Sequence, residues 1–526
     1  MPWRIVLFLL FCWQNSAERI LVVNQPISVS HVRLLHTIMR DLQDRGHQIT
    51  ELAWPISDQV LERQAPSGVK QLRFESGVES ARALLLQSYI DEWAWMRQDT
   101  LPEVLDLVLH HTVLNFKFDE LLVRWLTVAK LLIEPCLELL QRPRLTDTLR
   151  EANFTLAIID PMAHACGWVA VNQLDVPYIA ISNFMEYYQM NLAAGIPCPF
   201  SYVPATMDPK RLELDFLNRF TNTLQHYTFE ILHRGLLILA RLLALPHYQW
   251  FNDTTLHPSV SLMNAQRYFD DYPRPVGLSL HTFNLVANGV TNQELSAEFS
   301  QFVADPRSKG TVILSMSTTT SSAQMGANVQ KAFVDAFIRL PNYRFIWRID
   351  DGLAGLNATH SNVRTWKWIP QQALLDHPKT KILITHAGIN SILEAMNHGV
   401  PMLAVPLFGD QYPNAARIKE RGVGRVLYKH QISPTIIENE LRLILENAGY
   451  GERVKKFSQM INSQQMLPNM RDSHVFWIEF TARHRNNLDR LKPKGGSLSH
   501  FRYFSSDVFC SCAFIGAFLF TVIVSS

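Results

Sequence analysis

Short apolar runs that end in a polar loop and lead into a helical pattern limit most strongly how this chain can fold. The first run covers Ile20–Val23, and the helical pattern after it covers Val32–Asp44 and stops at Gly46. The same unit recurs at Leu156–Ile159, where Asp160 ends the apolar run. A four-residue run without polar positions predicts a strand that is buried on both faces, as in a parallel α/β sheet. The chain is therefore expected to open with a doubly wound α/β domain.

A second series of strand and helix patterns begins after Gly310 with the apolar run Thr311–Leu314. Between the two series, over 272–289, the alternation is lost, and this stretch is predicted to link two domains. Two doubly wound sheets in tandem enclose a cleft, and such sheets bind ligands beyond the carboxyl ends of their strands. The sequence therefore predicts two Rossmann-like domains that face one cleft, over residues 18–284 and 285–490.

Both ends of the chain carry apolar segments outside this alternation. Residues 1–17 combine one arginine, a short apolar run and a small residue at Ala17, which is the layout of a cleaved secretory signal. Val508–Val524 is uncharged and just long enough to span a membrane as a helix, with 491–507 as the linker before it. We therefore expect a single-pass membrane glycoprotein whose body lies in the lumen of the endoplasmic reticulum.

Two further observations bear on this topology. Three sequons for N-glycosylation, at Asn153, Asn252 and Asn357, agree with a lumenal body. No basic residue follows Val524, whereas the positive-inside rule expects positive charge on the cytoplasmic side of an anchor. A lipid-anchor signal that is removed stays open as an alternative, although the polar spacer that it requires is missing.

Composition and motifs narrow the kind of ligand. The chain has 49 basic and 47 acidic side chains and a formal net charge of +2, whereas proteins that bind nucleic acid mainly by charge carry a clear basic excess. A serine hydrolase and a dinucleotide oxidoreductase are disfavoured, because the chain has no Gly-x-Ser-x-Gly elbow and its first strand is not followed by Gly-x-Gly-x-x-Gly. We therefore expect a small molecule as the ligand, and no nucleic acid.

The densest set of polar residues lies where strands of the second domain end. The predicted strand Leu383–Thr385 runs into His386, and the small Gly388 lets a ligand approach the backbone where the next helix starts. The free N–H groups of that helix form an anion site, to which His386 adds a donor. Glu394 lies four residues after Asn390 on one helix face, so its carboxylate can accept hydrogen bonds from a ribose diol. This segment is predicted to hold a phosphate and a ribose.

Two loops complete this set of polar residues. Trp368 and Gln371 flank a rigid proline, so one indole can stack on a base and one amide can read its edge. Trp366, two residues earlier, is expected to pack in the core. Asp410 and Gln411 follow the next predicted strand, and a carboxylate beside an amide suits sugar hydroxyls.

Seven segments of the second domain keep a spacing that covers more than forty positions, namely Trp368–Gln371, His377–Pro378, Ile384–His386, Glu394–Ala395, His398–Met402, Pro406–Gln411 and Asn414–Ala415. This pattern resembles the signature of the UDP-glucuronosyltransferases, the animal branch of the UDP-sugar-dependent glycosyltransferases with the GT-B fold. The resemblance extends to the signal, the two halves and the C-terminal anchor.

The resemblance implies a set of donor-binding residues, which are Thr318, Arg348, Trp368, Gln371, His386, Gly388, Asn390, Glu394, Asp410 and Gln411. In the family pattern, Trp368 stacks on uracil, Gln371 bonds the base or ribose, and Glu394 holds the ribose hydroxyls. His386 and Asn390 bind the diphosphate, with Arg348 near the nucleotide. Asp410 and Gln411 bind the sugar.

This chain departs from the family pattern at two glycine positions. Ser317 and Thr318 stand where the family usually has a Gly-Ser pair, so Thr318 can replace the hydroxyl while the loss of glycine crowds the diphosphate. Ala387 also replaces a common glycine, which we expect to be the milder change.

The resemblance assigns the catalytic pair to the first domain. His31 follows the first strand after a short loop, where the family carries its general base, and Asp160 ends a later strand, where the family carries the acidic partner. A neutral imidazole can take the proton of an acceptor hydroxyl as the bond to the sugar forms. Asp160 would hold the imidazole tautomer and stabilise the resulting cation.

The implied activity is the transfer of a sugar from UDP to a small lipophilic alcohol or phenol, with inversion and without a metal or other cofactor, as in detoxification by conjugation. Glucuronate is the expected sugar, with Arg33 as a candidate partner for its carboxylate, and glucose is the alternative. Another alternative is a membrane-anchored protein that binds the UDP-sugar and a lipophile but has lost catalysis. The expected partners are the donor, the acceptor, the membrane and, in a homo-oligomer, a second copy of the chain.

Overall fold

The computed structural model describes two parallel sheets, the helices around them and a C-terminal helix. The described residues are 17–24, 29–53, 65–73, 143–160, 170–171, 174–183, 194, 196, 199–203, 215–227, 258–265, 269, 279–285, 294–316, 325–349, 361–465, 472–491, 502 and 505–525. The predicted signal except for Ala17, the donor-site residue Thr318 and the sequon residues Asn252 and Asn357 lie outside the described residues.

The first domain is built on a seven-stranded sheet in the order β3-β2-β1-β4-β5-β6-β7. Every neighbouring pair of strands is parallel. The strand order reverses between β1 and β4, which is the point where doubly wound sheets bind ligands. The strands are β1 (Arg19–Val23), β2 (Gln48–Ala53), β3 (Lys70–Arg73), β4 (Leu156–Ile159), β5 (Tyr178–Ser182), β6 (Val260–Asn264) and β7 (Leu280–Phe283).

The second domain repeats this architecture with a six-stranded sheet in the order β10-β9-β8-β11-β12-β13. Its pairs are also all parallel, and its order reverses between β8 and β11. The predicted pair of doubly wound sheets is therefore confirmed. The strands are β8 (Gly310–Ser315), β9 (Tyr343–Arg348), β10 (Val363–Trp366), β11 (Thr380–Thr385), β12 (Met402–Ala404) and β13 (Gly424–Val426).

Helices connect the strands and cover the sheets. They are α1 (Val29–Asp44), α2 (Pro143–Glu151), α3 (Ala297–Val303), α4 (Ala327–Ile338), α5 (Gln371–Asp376), α6 (Ile389–Asn397), α7 (Gln411–Glu420), α8 (Pro434–Glu446), α9 (Ala448–Gln465), α10 (Ser473–Arg483) and α11 (Ser506–Ser525). Short 3-10 helices cover Lys429–Gln431 and Arg485–Leu491, and residues 216–227 are also helical.

The central strands lie in the core of each domain. All four residues of β4 and all six of β8 are buried. A strand that is covered by helices on both faces has no polar face to alternate with. This burial is the physical reason for the continuous apolar runs in the sequence.

Helix α1 begins at Val29, three residues before the start that the sequence pattern predicts at Val32. Residues three apart share a helix face, so the apolar repeat extends one turn further back. The polar residues Ser30 and His31 stand between Val29 and Val32 and interrupt the apolar pattern of this turn. His31 consequently lies in the first turn of a helix, and the loop that was expected to hold it ends earlier.

Helix α10 packs against the first domain, although the predicted domain boundary assigns all of 285–490 to the second domain. Its Val475 and Ile478 are buried in one apolar cluster with residues of β1, β4 and α1. His474 Nε2 also lies 2.8 Å from Asp41 Oδ2 of α1. A periodic pattern shows that a helix has an apolar face, but it does not show which sheet that face covers. The domain boundary at 284/285 itself stays a prediction.

The C-terminal helix α11 contains the predicted anchor Val508–Val524. Its segment Ser506–Ile523 is long and apolar enough to cross a membrane, by length and composition, and it is not buried against the rest of the protein. In the part of the chain that the structure describes, no second helix meets these criteria. This helix indicates a membrane protein. The lumenal orientation of the body stays a prediction.

Candidate active site

The first domain brings His31 and Asp160 together at the reversal point of its sheet. Val23 of β1 is paired with Ile159 of β4, so the segments that follow these strands start side by side. His31 Nδ1 is hydrogen bonded to Asp160 Oδ2, and the two side chains are only 3% and 1% exposed. Since the carboxylate holds the Nδ1–H group, Nε2 is the nitrogen that can accept a proton. This is the geometry of an oriented general base.

Asp410 of the second domain lies near this pair, immediately before α7. Burial raises the pKa of its carboxyl to about 6, and the positive form of the nearby His31 and a hydrogen bond from Asn414 oppose that rise. Asn414 Nδ2 donates to Asp410 Oδ2 at 2.9 Å and to the Ala387 carbonyl oxygen at 3.1 Å. The structure thus brings a carboxylate of the second domain into electrostatic range of the pair in the first.

Gln411, beside Asp410, is buried and holds the loop before it. Its Oε1 accepts hydrogen bonds from the backbone N–H groups of Leu407 at 2.8 Å and Phe408 at 3.2 Å. The side-chain carbonyl is therefore occupied by the protein, and Nε2 is the atom that can still donate to a sugar. The predicted contact of Gln411 with sugar stays a prediction, with this restriction on its chemistry.

His386 follows β11 at the reversal point of the second sheet. Burial, and then the positive charge of Arg348, lower the pKa of its imidazole to about 4. Its Nδ1 is buried and has no hydrogen-bond partner. A Cβ atom at Gly388 would lie 2.4 Å from His386 Nε2, so a side chain at this position would displace the ring. His386 is therefore a neutral donor or acceptor, whose place depends on a glycine two residues later.

Ala387, between His386 and Gly388, has a left-handed backbone with φ of 65°. A residue with a Cβ atom adopts this conformation at a cost of about 1–2 kcal/mol, which glycine does not have. Alanine at a usual glycine position was expected to be a mild change. The structure shows that it strains the backbone at the turn that leads into α6.

A chain of three asparagines crosses from the first domain to α6. Asn264, the last residue of β6, is fully buried, and its Nδ2 donates to Asn183 Oδ1 and to Asn390 Oδ1, each at 2.9 Å. Both hydrogens of one amide are thereby used. The carbonyl oxygen of Asn390 is occupied, so its amide N–H groups are the atoms that can donate to a diphosphate.

Trp366 and Trp368 have the different environments that the sequence predicts. Trp366 packs against Phe299, with ring centres 4.5 Å apart, and belongs to the edge of the core. Trp368 is 52% exposed. The guanidinium carbons of Arg33 and Arg348 lie 5.2 and 5.9 Å from its ring centre. Trp368 therefore offers an accessible aromatic surface that is flanked by two cations.

Glu394 and Gln371 form one hydrogen-bonded pair beside this tryptophan. Gln371 Nε2 donates to Glu394 Oε2 at 2.5 Å. Burial raises the pKa of the Glu394 carboxyl, while the hydrogen bonds from Gln371 and Gln372 and the charge of Arg33 lower it. The amide and the carboxylate that were predicted to read a base edge and a ribose thus lie in contact.

Comparison with known proteins agrees with this arrangement. The family described as "UDP-glucoronosyl and UDP-glucosyl transferase" matches residues 18–525. The chain belongs to this family. It is 28% identical over 518 residues to UDP-glucuronosyltransferase 2A3 of Mus musculus, which covers 94% of this chain and 90% of that protein. It is also 28% identical over 512 residues to UDP-glucuronosyltransferase 1A5 of Homo sapiens, covering 95% and 89%.

Solved structures of glycosyltransferases share the two-sheet fold. The glycotransferase of kitacinnamycin has a TM-score of 0.57 and 15% identity, and the match covers 91% of this chain and all of that one. A UDP-glucose: anthocyanidin 3-O-glucosyltransferase in complex with UDP has a TM-score of 0.55 and 16% identity, covering 89% and 100%. The fold is thus the GT-B fold of glycosyltransferases, as the sequence predicts.

Some residues that form hydrogen bonds in the site of this family member were not found from the sequence. Asn183 and Asn264 lie in the first domain, more than 120 residues before the Asn390 side chain that Asn264 contacts. The available signal was that each of them directly follows or ends a buried apolar strand, as Asp160 does. Asn414 belongs to the spacing that resembles the family signature, but its hydrogen bond to Asp410 is visible only in the structure.

Two further predictions concern glycosylation and metal ions. Asn153 lies in the turn between α2 and β4, is exposed and has a left-handed φ of 51°, which asparagine tolerates. Its glycosylation stays a prediction. Among the described residues, no group of three or more His, Cys, Asp and Glu side chains could hold a metal ion. The expectation of a reaction without a metal or other cofactor also stays a prediction.

Proposed function

We propose that this chain is a UDP-glucuronosyltransferase, which transfers glucuronate from UDP-glucuronate to a small lipophilic alcohol or phenol. The observation that carries the proposal is the His31–Asp160 pair, buried in the first domain and within electrostatic range of Asp410 in the second. The proposed base, His31, and the carboxylate that is proposed to bind the sugar, Asp410, therefore face one cleft. Membership of the family supplies the UDP-sugar as donor.

The proposed reaction is a single displacement at the anomeric carbon. His31 Nε2 takes the proton from the acceptor hydroxyl while the acceptor oxygen forms its bond to the sugar. The bond from the anomeric carbon to the UDP oxygen breaks, and UDP leaves with the electron pair. Asp160 stabilises the imidazolium that results. One displacement inverts the anomeric centre, so an α-linked donor gives a β-glycoside.

The departing UDP carries negative charge that the second domain stabilises. The amide N–H groups of Asn390 and the backbone N–H groups at the start of α6 are proposed to bind the diphosphate. The positive charge of Arg348, which already acts on His386, reinforces this binding. We propose no metal or other cofactor, because these donors can hold the diphosphate themselves.

Glucuronate is preferred over glucose as the transferred sugar because the curated relatives above are named as UDP-glucuronosyltransferases. Glucose remains the competing donor. The test is to incubate the full-length membrane protein with a phenol panel and either UDP-glucuronate or UDP-glucose, and to identify the conjugates by mass spectrometry. Glucuronides are expected; glucosides alone would replace the proposed donor, and no conjugate from either would refute the proposed transfer.

A UDP-sugar-binding protein without catalysis is the second candidate. The observation that favours it is the strained Ala387 at the diphosphate turn. UDP release is measured with each donor across an acceptor panel that includes phenols, steroids and bile-acid-like alcohols. UDP binding without UDP release from any of these acceptors would select this candidate.

The proposed location is the endoplasmic reticulum, with α11 as a single membrane anchor and the body in the lumen. Cleavage of residues 1–17 and glycans on Asn153, Asn252 and Asn357 follow from this topology. A protease-protection assay on intact microsomes, combined with glycosidase treatment, tests it. Digestion of the body without detergent would show that the orientation is the reverse.

A further inference from the structure

Arg33 brings a positive charge from the first domain to the nucleoside end of the second. It belongs to α1, yet its guanidinium carbon lies 5.2 Å from the ring centre of Trp368. Its charge also reaches the carboxylate of Glu394. Trp368 and Glu394 are the residues that are predicted to hold the uracil and the ribose, so two separate interactions place Arg33 at the same end of the donor site.

We infer that Arg33 is a donor-binding residue, which closes over the nucleoside of the UDP-sugar from the acceptor side of the cleft. This inference rests on the proposed function. A guanidinium is planar, stacks on aromatic rings and carries N–H donors in a fixed fork. A uracil ring with two carbonyl oxygens, next to a ribose with two hydroxyls, offers both a flat face and acceptors to such a group.

The position of Arg33 favours this role over the one that the sequence suggests, which was to bind the carboxylate of glucuronate. His31 and Asp410 lie in electrostatic range of each other and are predicted to mark the sugar end of the site. Arg33 instead contacts the predicted base-stacking residue. Its charge therefore acts on the part of the donor that UDP-glucuronate and UDP-glucose share, and it does not select between them.

Arg33 also links the nucleotide to the catalytic base. His31 and Arg33 are two residues apart on α1, which separates them by about 200° around the helix, so their side chains leave it in nearly opposite directions. One is bonded to Asp160 and the other contacts Trp368. A nucleotide that binds Arg33 therefore contacts the same turn of α1 that carries the catalytic base His31.

The experiment measures binding of UDP and of uridine to the full-length protein by isothermal titration calorimetry. Arg33→Gln is expected to weaken both ligands about tenfold, because it removes a cation from beside an aromatic ring. Arg33→Lys keeps the charge without the planar fork, and a loss of about threefold is expected. The matched control is Arg40→Gln, which removes the same charge from an exposed position of the same helix.

A double-mutant cycle tests whether Arg33 acts through Trp368. In a Trp368→Ala background, Arg33→Gln is expected to change UDP affinity by less than about twofold, because the shared surface is gone. Unchanged or tighter UDP binding by Arg33→Gln in the wild-type background would overturn the inference, and so would an equal loss in Arg40→Gln. If Arg33→Gln does not fold, the comparison of Arg33→Lys with Arg40→Gln decides in its place.

Failure of this inference and failure of the proposed function give different results. If the wild-type protein itself does not bind UDP, the proposed function fails, and the inference fails with it. If the wild type binds UDP and conjugates a phenol, but Arg33→Gln matches it in UDP affinity, only the inference fails.

Discussion

The two sheets use their reversal points differently. Between β1 and β4, His31 and Asp160 bind each other and are both buried. After β11, His386 is kept neutral by burial with its pKa near 4, and Ala387 adopts a left-handed backbone. The first site is a buried acid–base pair in which the carboxylate orients the imidazole, and the second is a turn of neutral donors. The same topology thus supports a reactive pair or a binding turn, depending on the few residues that follow each strand.

Removing the reactive pair is expected to have the largest effect. His31→Ala should lower kcat about 10²- to 10⁴-fold, because proton transfer by a positioned base contributes this much. UDP affinity should change little, because His31 is not among the residues that are proposed to bind the nucleotide. Conjugate formation and UDP calorimetry on the same preparation check both statements. Wild-type turnover in this variant would remove His31 from its proposed role.

The carboxylate that lies near the pair is expected to make donor binding depend on pH. Burial raises the pKa of Asp410 from 3.8 to about 6, so it gains a proton as the pH falls through 6 and loses an acceptor for sugar hydroxyls. Affinity for UDP-glucuronate should therefore fall below pH 6, and Asp410→Asn should abolish this dependence.

Uridine is the control for this effect, because free UDP ends in a phosphate whose own pKa is about 6. The affinity for uridine should show no step at pH 6, because uridine has neither such a phosphate nor the sugar hydroxyls that Asp410 is proposed to bind. A step of equal size with uridine would assign the titration to a group at the nucleoside instead.

The asparagine chain that joins the two domains is expected to have a moderate effect. Asn264→Ala removes the hydrogen bond that orients Asn390, and a net loss of about 1 kcal/mol would raise the KM for the donor about fivefold. Asn183→Ala removes the other hydrogen bond of the same amide and is the matched control, with a smaller expected change. Equal KM values for the two variants would contradict a specific role in orienting Asn390.

The strained turn is expected to have the smallest effect, and one of opposite sign. Ala387→Gly relieves a left-handed alanine but adds chain entropy to the unfolded state, so a net gain of about 0.5–1 kcal/mol in stability is expected. Ala395→Gly, in the interior of α6, should instead destabilise the protein. Urea denaturation midpoints of the two variants measure both signs, and a lower midpoint for Ala387→Gly would mean that the alanine methyl contributes more by packing than its backbone costs.

The sequence predicted the features that depend on local pattern. Continuous apolar runs predicted the buried strands, polar residues at their ends pointed to His386 and Asp160 as site residues, and helical spacing from Asn390 pointed to Glu394. The start of α1 was missed because the polar Ser30 and His31 interrupt its apolar repeat. Partners that are distant in sequence could not be found in this way, since no local signal connects Asn264 with Asn390 or Arg33 with Trp368.

Residue type also left the direction of some interactions open. Gln411 is predicted to bind a sugar, and its Oε1 accepts hydrogen bonds from the backbone of Leu407 and Phe408, which leaves Nε2 for that contact. An amide has both a donor and an acceptor, and only the folded loop decides which is used. Similarly, the cost of Ala387 depends on a φ angle that its sequence context does not fix.

Helix α10 has a consequence for how the protein is made. Val475 and Ile478 fill the core of the first domain, although the last strand of that domain ends at Phe283. A ribosome adds about 5–20 residues per second, so the first domain waits for roughly 10–40 s of further synthesis before the helix that completes its core exists. During that interval an apolar face of the first domain has no cover from its own chain. Folding of the first domain is therefore completed only after the second has been synthesised, and a fragment that ends at the domain boundary would lack part of its core.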